Sequence, residues 1–268
     1  MARETRTEGW RDDLSSLDPL SFAIRRDRED APRMVRQALE DGRTQIALLP
    51  VVSAADSGAV LHYECLVRLT DETGRVIPAA AFITDIEETD LGRALDRETL
   101  RLALAQLREM PDLNLSVNVS ARSLADGAWR RVLQRDIALN GGFDDRLTLE
   151  VSETSAIQLH EVVVSFMEEM QPSGLCFALD RFGAGLTAFR YLKDFLFDLA
   201  KIDKSYVRGI EADADSQVVV GALIAVARQF DMAVIADGVE TEAEAQVLRD
   251  LGVDYLQGFL FGLPRFMG

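Results

Sequence analysis

From residue 44 onward, short apolar runs alternate with segments whose apolar positions recur three and four residues apart. The short runs are TQIALLPVV at 44–52, YECLVRL at 63–69, LNLSVNVS at 113–120, RLTLEVS at 146–152, LCFALD at 175–180, DLAKID at 198–203, MAVIADG at 232–238 and DYLQG at 254–258. Continuous apolar runs of this length, rich in Val, Ile and Leu, predict strands buried on both faces. The intervening segments predict amphipathic helices. One carries Leu95, Leu100, Leu102, Leu104 and Leu107 ahead of Pro111, and others cover 155–171, 213–230 and 241–251. The first two strands are joined only by SAADSGAVLH, with Asp56, Ser57 and Gly58 at its tip, which predicts an antiparallel hairpin. The predicted fold class is α/β, a modified (β/α)8 TIM-like barrel with an irregular antiparallel first strand. A doubly wound open sheet is the alternative. Residues 1–30 are polar and of mixed charge, and predict a tail or cap that leaves 31–268 as the domain.

Polar residues interrupt these runs in a regular place. Asn118, Glu150, Asp180, Asp203 and Asp237 all fall near the C-terminal end of a predicted strand, and Glu64 lies inside an otherwise apolar one. One such acid is ordinarily a helix N-cap or an ion-pair partner. Five or six at corresponding strand ends are different, because in a barrel those ends converge on one face and that face carries the active site. A buried, unpaired carboxylate costs several kcal/mol, so a cluster of them implies pairing or a bound cation. Oxygen-only ligands suit Mg²⁺, Mn²⁺ or Ca²⁺. Lys201 precedes Asp203 by two residues and shares its strand face. Gln257 adds an amide from the last strand, and Arg68, four residues after Glu64 on the same face, has the fork that matches a phosphate.

Composition narrows the partners. With 29 Lys and Arg against 45 Asp and Glu, the net charge is −16, which excludes a general nucleic-acid backbone binder and an anionic membrane partner. No apolar run approaches the ~20 residues that span a bilayer, and the N-terminus lacks a signal-peptide h-region, so a cytoplasmic location is expected. Cys65 and Cys176 sit in strand-like runs and read as reduced core residues, and two histidines are too few for a His-based zinc site. The chain stops ten residues after its last strand. No appended sensory domain is expected, and regulation is expected from expression, oligomerisation or a partner.

Taken in order, ECLVRL, SVNVS, LEVSET, ALDRFGAG, AKIDKSYV, ADGVET and LQGFLF resemble the EAL-domain family, bacterial cyclic-di-GMP phosphodiesterases of (β/α)8-like fold. The resemblance runs from about Leu39 to Pro264, and the name motif reads Glu64-Cys65-Leu66. It implies a two-metal hydrolase, dependent on Mg²⁺ or Mn²⁺, that opens cyclic-di-GMP to linear pGpG. Glu64, Asn118, Glu150 and Asp180 match the ligands of the first metal. Lys201 matches a lysine near the attacking water, and Asp203 and Asp237 match further active-site acids. Arg68, Leu66 and Gln257 match the substrate-binding set, while Glu153 and Glu240 match loop-stabilising glutamates. A homodimer built around 184–191 is also implied.

The departures fall at the second metal. The family's Asp-Asp-Phe-Gly-Thr-Gly reads Asp180-Arg181-Phe182-Gly183-Ala184-Gly185, its Glu-Gly-Val-Glu reads Asp237-Gly238-Val239-Glu240, and the Gln-Pro of its first strand is Leu49-Pro50. An arginine can hold a phosphate oxygen but cannot act as a base at neutral pH. The expectation is a protein that keeps one cation site, loses the second and binds cyclic-di-GMP with impaired hydrolysis, Arg181 facing the substrate. A working phosphodiesterase with an unusual second site and a nucleotide-independent protein-interaction module are the other two readings.

Overall fold

The computed structural model describes residues 31–143, 145–185 and 189–266; the expected tail or cap at 1–30 lies outside them, as does part of the expected dimer segment, 186–188. The strands are β1 (Thr44–Ser53), β2 (Val60–Thr70), β3 (Val76–Pro78), β4 (Leu115–Asn118), β5 (Leu147–Ser152), β6 (Leu175–Phe182), β7 (Leu199–Ile202), β8 (Ala233–Ala236) and β9 (Tyr255–Gln257). The longer helices are α1 (31–40), α2 (Asp90–Glu109), α3 (Gly127–Asn140), α4 (His160–Met170), α5 (Ala214–Gln229) and α6 (Glu242–Leu251).

The strands run β1-β9-β8-β7-β6-β5-β4-β2 around a ring that β1 closes by pairing with β2 as well. β1 is antiparallel to both neighbours, and every other pair in the ring is parallel. An open doubly wound sheet would leave two free edges; this ring leaves none, which overturns that alternative. β3, a short strand that no sequence pattern announced, extends β2 outside the ring.

Register sorts the side chains into an outer and an inner set. Outward residues pack under the helices: α2 buries Leu95, Leu100, Ala103, Leu104 and Leu107, the face its spacing predicts. Inside the ring, Val51, Ala178, Leu199 and Ile235 form a small apolar plug. The strand period of two then places Asp180 two residues beyond Ala178, Lys201 beyond Leu199 and Asp237 beyond Ile235, on the same inward side and one layer nearer the C-terminal mouth. Helix starts are fixed by side chains: Thr89 caps α2, Asp126 caps α3, Asp213 caps α5, and Thr241 with Glu244 forms a capping box on α6.

Asp96 on α2 is tied to the turn after β4, accepting hydrogen bonds from Ser120 N at 3.1 Å and Ser123 Oγ at 2.7 Å. Burial pushes its pKa up to about 6 despite those donors. The folded protein therefore binds a proton more tightly than the unfolded chain, and stability falls as pH rises from about 4 to about 6, by roughly 3 kcal/mol at most. Asp96→Asn keeps an acceptor oxygen for both donors and removes the charge. It is expected to melt a few degrees above the native protein at pH 7.5 and to show a shallower slope between pH 4 and 6, where Asp237 still contributes. Thermal melts across that range check this, and a variant melting lower at pH 7.5 would defeat it.

Candidate active site

Glu64 on β2, Asn118 on β4, Glu150 on β5, Asp180 on β6, Lys201 on β7, Asp237 after β8 and Gln257 on β9 come together at the C-terminal mouth of the barrel. The registers show how: Asn118 lies opposite Glu150, Asp180 opposite Ser152, and Gln257 opposite Val51. Glu64, Glu150, Lys201 and Gln257 are buried, whereas Asn118 opens to solvent.

Lys201 is the hub. Its Nζ stands 3.1 Å from Glu64 Oε2, 2.5 Å from Glu150 Oε2 and 3.9 Å from Asp180 Oδ1. Glu64 also accepts from Asn118 Nδ2 at 2.6 Å and from Gln257 Nε2 at 2.8 Å. The two glutamates share the lysine but differ in environment. Burial raises both, yet Glu64, with three donors, ends below its ordinary value, while Glu150 is pushed up to about 8 by burial and the adjacent Glu64 charge. Burial alone would depress Lys201, but Glu150 and Glu64 outweigh it and hold the ammonium well above its ordinary value. Asp237, half-buried, is pushed up to about 6 by burial, with Glu64 and Asp180 adding to the rise.

Four carboxylates thus face one buried ammonium, which leaves the mouth short of positive charge. Glu150 Oε1 is buried and has no hydrogen-bond partner. As the side chains stand, no three His, Cys, Asp or Glu among the described residues converge on a single point, because Lys201 draws Glu64 and Glu150 to itself. The donor chemistry nevertheless fits one hard divalent cation: oxygen ligands only, a surplus of negative charge and an unpartnered carboxylate oxygen pointing nowhere else.

The residues for a second cation do not fit one. β6 pairs with β7 at Leu179↔Ala200 and again at Phe182↔Ile202, so β6 spends one extra residue at Asp180-Arg181. This bulge re-aims a side chain, as bulges beside active sites do. Strand alternation would send Arg181 away from Asp180; instead Arg181 takes φ 56°, and its Nε sits 3.8 Å from Asp180 Oδ2. A cation-repelling guanidinium, two-thirds exposed, stands beside the carboxylate that a second metal would share.

The turn that follows is held from two sides. Glu153 Oε2 accepts from Gly183 N at 3.1 Å, and Tyr206 Oη donates to Gly183 O at 3.1 Å. The other expected residues lie further out. Asp203 is turned to a structural task, its Oδ1 accepting from Ser205 N to cap the short helix Lys204–Val207. Glu240 pairs with Arg208 across the mouth, joining the loops after β8 and β7. Arg68 is half-buried at the rim and donates to Val67 O, and Leu66 is partly buried beside it. Two residues near the site escaped sequence reasoning. Tyr206 left no pattern. His62 did, being two residues before Glu64 and so on its face; it is buried and held neutral, burial and the nearby Lys201 lowering its pKa to about 4. Cys65 and Cys176 are unbridged.

A family model described as the EAL domain matches residues 32–264. An uncharacterized signaling protein of Caulobacter vibrioides is 32% identical over 241 residues, which cover 89% of this chain and 30% of that one. The cyclic di-GMP phosphodiesterase PdeR of Escherichia coli is 33% identical over 238 residues, 86% of this chain and 35% of its own. Among solved structures, the phosphodiesterase PaMucR in complex with c-di-GMP aligns at TM-score 0.80 and 29% identity, covering 88% of this chain and 97% of that one. The FimX EAL domain of Pseudomonas aeruginosa, bound to c-di-GMP, aligns at TM-score 0.79 and 26% identity, over 88% and 96% of the two chains. The chain spans about a third of the length of the first of these curated relatives. No helix among the described residues is long and apolar enough to cross a membrane.

Proposed function

The chain belongs to the EAL domain family, and on that premise we propose that it binds cyclic-di-GMP at the C-terminal mouth of the barrel and hydrolyses it slowly. The observation that carries this reading is the placement of Arg181, which the β6 bulge turns back toward Asp180. One Mg²⁺ or Mn²⁺ would be held by Glu64, Asn118, Glu150 and Asp180. When bound, a divalent cation polarises a phosphoryl oxygen and lowers the pKa of a ligated water. The chain's own residues do the rest. Arg68 and Arg181, both at the mouth, offer guanidinium forks to phosphate oxygens. Lys201 holds Glu64 charged and offsets part of the burial that raises Glu150, whose proton a bound cation would displace. Gln257 fixes Glu64 from the other side of β1, and Glu153 and Glu240 hold the loops after β6 and β8. Leu49, buried on β1, offers no amide to the nucleotide at that position. The functional unit on this reading is 31–268.

Support for binding comes from the inward-facing acids, Lys201 and Gln257 standing together, as a working site requires. Support for slow turnover comes from a cation where a shared metal would need an anion. Purified protein titrated with cyclic-di-GMP in Mn²⁺ should show saturable heat below about 100 μM ligand. Chromatography of pGpG should show turnover well under the roughly 1 s⁻¹ at which ordinary enzymes begin. Turnover near 1 s⁻¹ would overturn the impaired reading in favour of an active phosphodiesterase. No heat at that concentration would favour a protein-interaction module.

A further inference from the structure

The turn Arg181–Gly185 is stitched to the barrel through the two polar backbone groups of Gly183, which belong to successive peptide units. Gly183 donates its N–H to Glu153, which starts the helix after β5, and accepts at its carbonyl from Tyr206, in the short helix after β7. Gly183 also has φ 90°, and a Cβ there would meet Leu223 Cδ1 at 2.7 Å and the Tyr206 ring at 3.4 Å. The Tyr206 ring therefore lies against the Gly183 α-carbon while its hydroxyl holds the carbonyl. Two residues upstream, Arg181 has the left-handed φ that returns its side chain to Asp180. The Gly183–Ala184 peptide unit is held at both polar ends, its carbonyl by Tyr206 and its N–H by Arg181 O at 3.1 Å, and it cannot rotate without breaking one bond, so the Arg181 turn that this N–H closes depends on Tyr206. Glu153 secures the preceding peptide unit through the Gly183 N–H; among the described contacts, Tyr206 alone secures the Gly183 carbonyl.

We infer that Tyr206 is a positioning residue that acts through Gly183 to hold the Arg181 guanidinium over Asp180. This rests on the proposed cation site. The hydroxyl is thereby a determinant of how tightly the mouth takes a divalent cation: with Tyr206 in place, a positive charge stands beside Asp180, and without it the turn relaxes and the guanidinium moves into solvent.

The test is a double-mutant cycle of Tyr206→Phe and Arg181→Ala, read by Mn²⁺ dissociation constants from the electron paramagnetic resonance of free Mn²⁺. Arg181→Ala is expected to tighten Mn²⁺ several-fold by removing the guanidinium. Tyr206→Phe is expected to tighten it several-fold in the native background and not at all on top of Arg181→Ala. Hydrogen exchange at the Ala184 amide, measured alongside, should quicken in Tyr206→Phe. A Tyr206→Phe effect of the same size in both backgrounds, or no effect in either, overturns the inference and leaves the cation site standing. Mn²⁺ failing to bind any of the four proteins overturns the cation site, and the inference falls with it. Unaltered exchange at Ala184 would refute the clamp itself, whatever the metal does.

Discussion

Arg181→Asp is expected to raise hydrolysis of cyclic-di-GMP by about tenfold or more at saturating Mn²⁺. The substitution changes the local charge by two units at a position whose present side chain approaches Asp180 to 3.8 Å. Two unit charges near 4 Å interact by about 4 kcal/mol at the effective dielectric of a protein surface, which sets the upper scale of the effect. The backbone favours the change too. Arg181 occupies the left-handed region at φ 56°, where Asp and Asn are several-fold enriched over other non-glycine residues. The variant should therefore fold at least as well as the native chain. Arg181→Asn separates the two effects: it suits the same backbone and removes the positive charge without adding a carboxylate, so it should match the stability but gain less activity. Initial rates of pGpG formation for all three proteins decide the matter. If Arg181→Asp forms pGpG no faster than the native protein, the guanidinium is not what limits turnover.

Removal of the central ammonium should have the largest effect on stability. Lys201→Met leaves Glu64, Glu150, Asp180 and Asp237 in one enclosure with no buried positive charge, and breaking a buried ion pair in this way costs about 3–5 kcal/mol. The pH dependence follows from the direction of the shifts. Without Lys201 the folded-state pKa of Glu150 rises further above that of the unfolded chain and that of Glu64 loses the depression the ammonium gave it, so the folded state holds extra protons and loses stability as pH climbs. The loss should thus be greater at pH 8 than at pH 5.5. A divalent cation should restore much of what the lysine supplied, and so Mg²⁺ should raise the melting temperature of Lys201→Met by more than that of the native protein. Equal Mg²⁺ responses in the two proteins would mean that these carboxylates do not form the cation site.

Much of the barrel was legible because its signal repeats. Each inward acid sits at a strand end, and a period of two carries that phase around the ring, so Glu64, Asn118, Glu150, Asp180 and Asp237 could be grouped before their neighbours were known. Position 181 was legible for another reason, as a charge of the wrong sign in a run of otherwise familiar residues. Asp203 shows the limit. An aspartate that ends a strand and precedes a helix reads the same whether it faces a cavity or caps the helix, and here its oxygen goes to Ser205 N. The bulge in β6 was equally silent, because the residue count of one strand says nothing about how many positions its neighbour spends over the same span. Tyr206 reaches Gly183 across 23 positions through one hydroxyl, a contact that no local pattern encodes.

The antiparallel first strand has a consequence for how the molecule is made. As the chain is synthesised, the β1–β2 hairpin can form early, but the outer edge of β1 has no partner until residues 255–257 arrive about two hundred positions later. The strands between add one by one to the other side of a growing ribbon, and the ring shuts only when Val51 meets Gln257. Gln257 is also the residue whose amide grips Glu64. Closing the ring and completing the site are therefore one event, and a chain cut short of its last barrel strand carries a bare edge in place of a site.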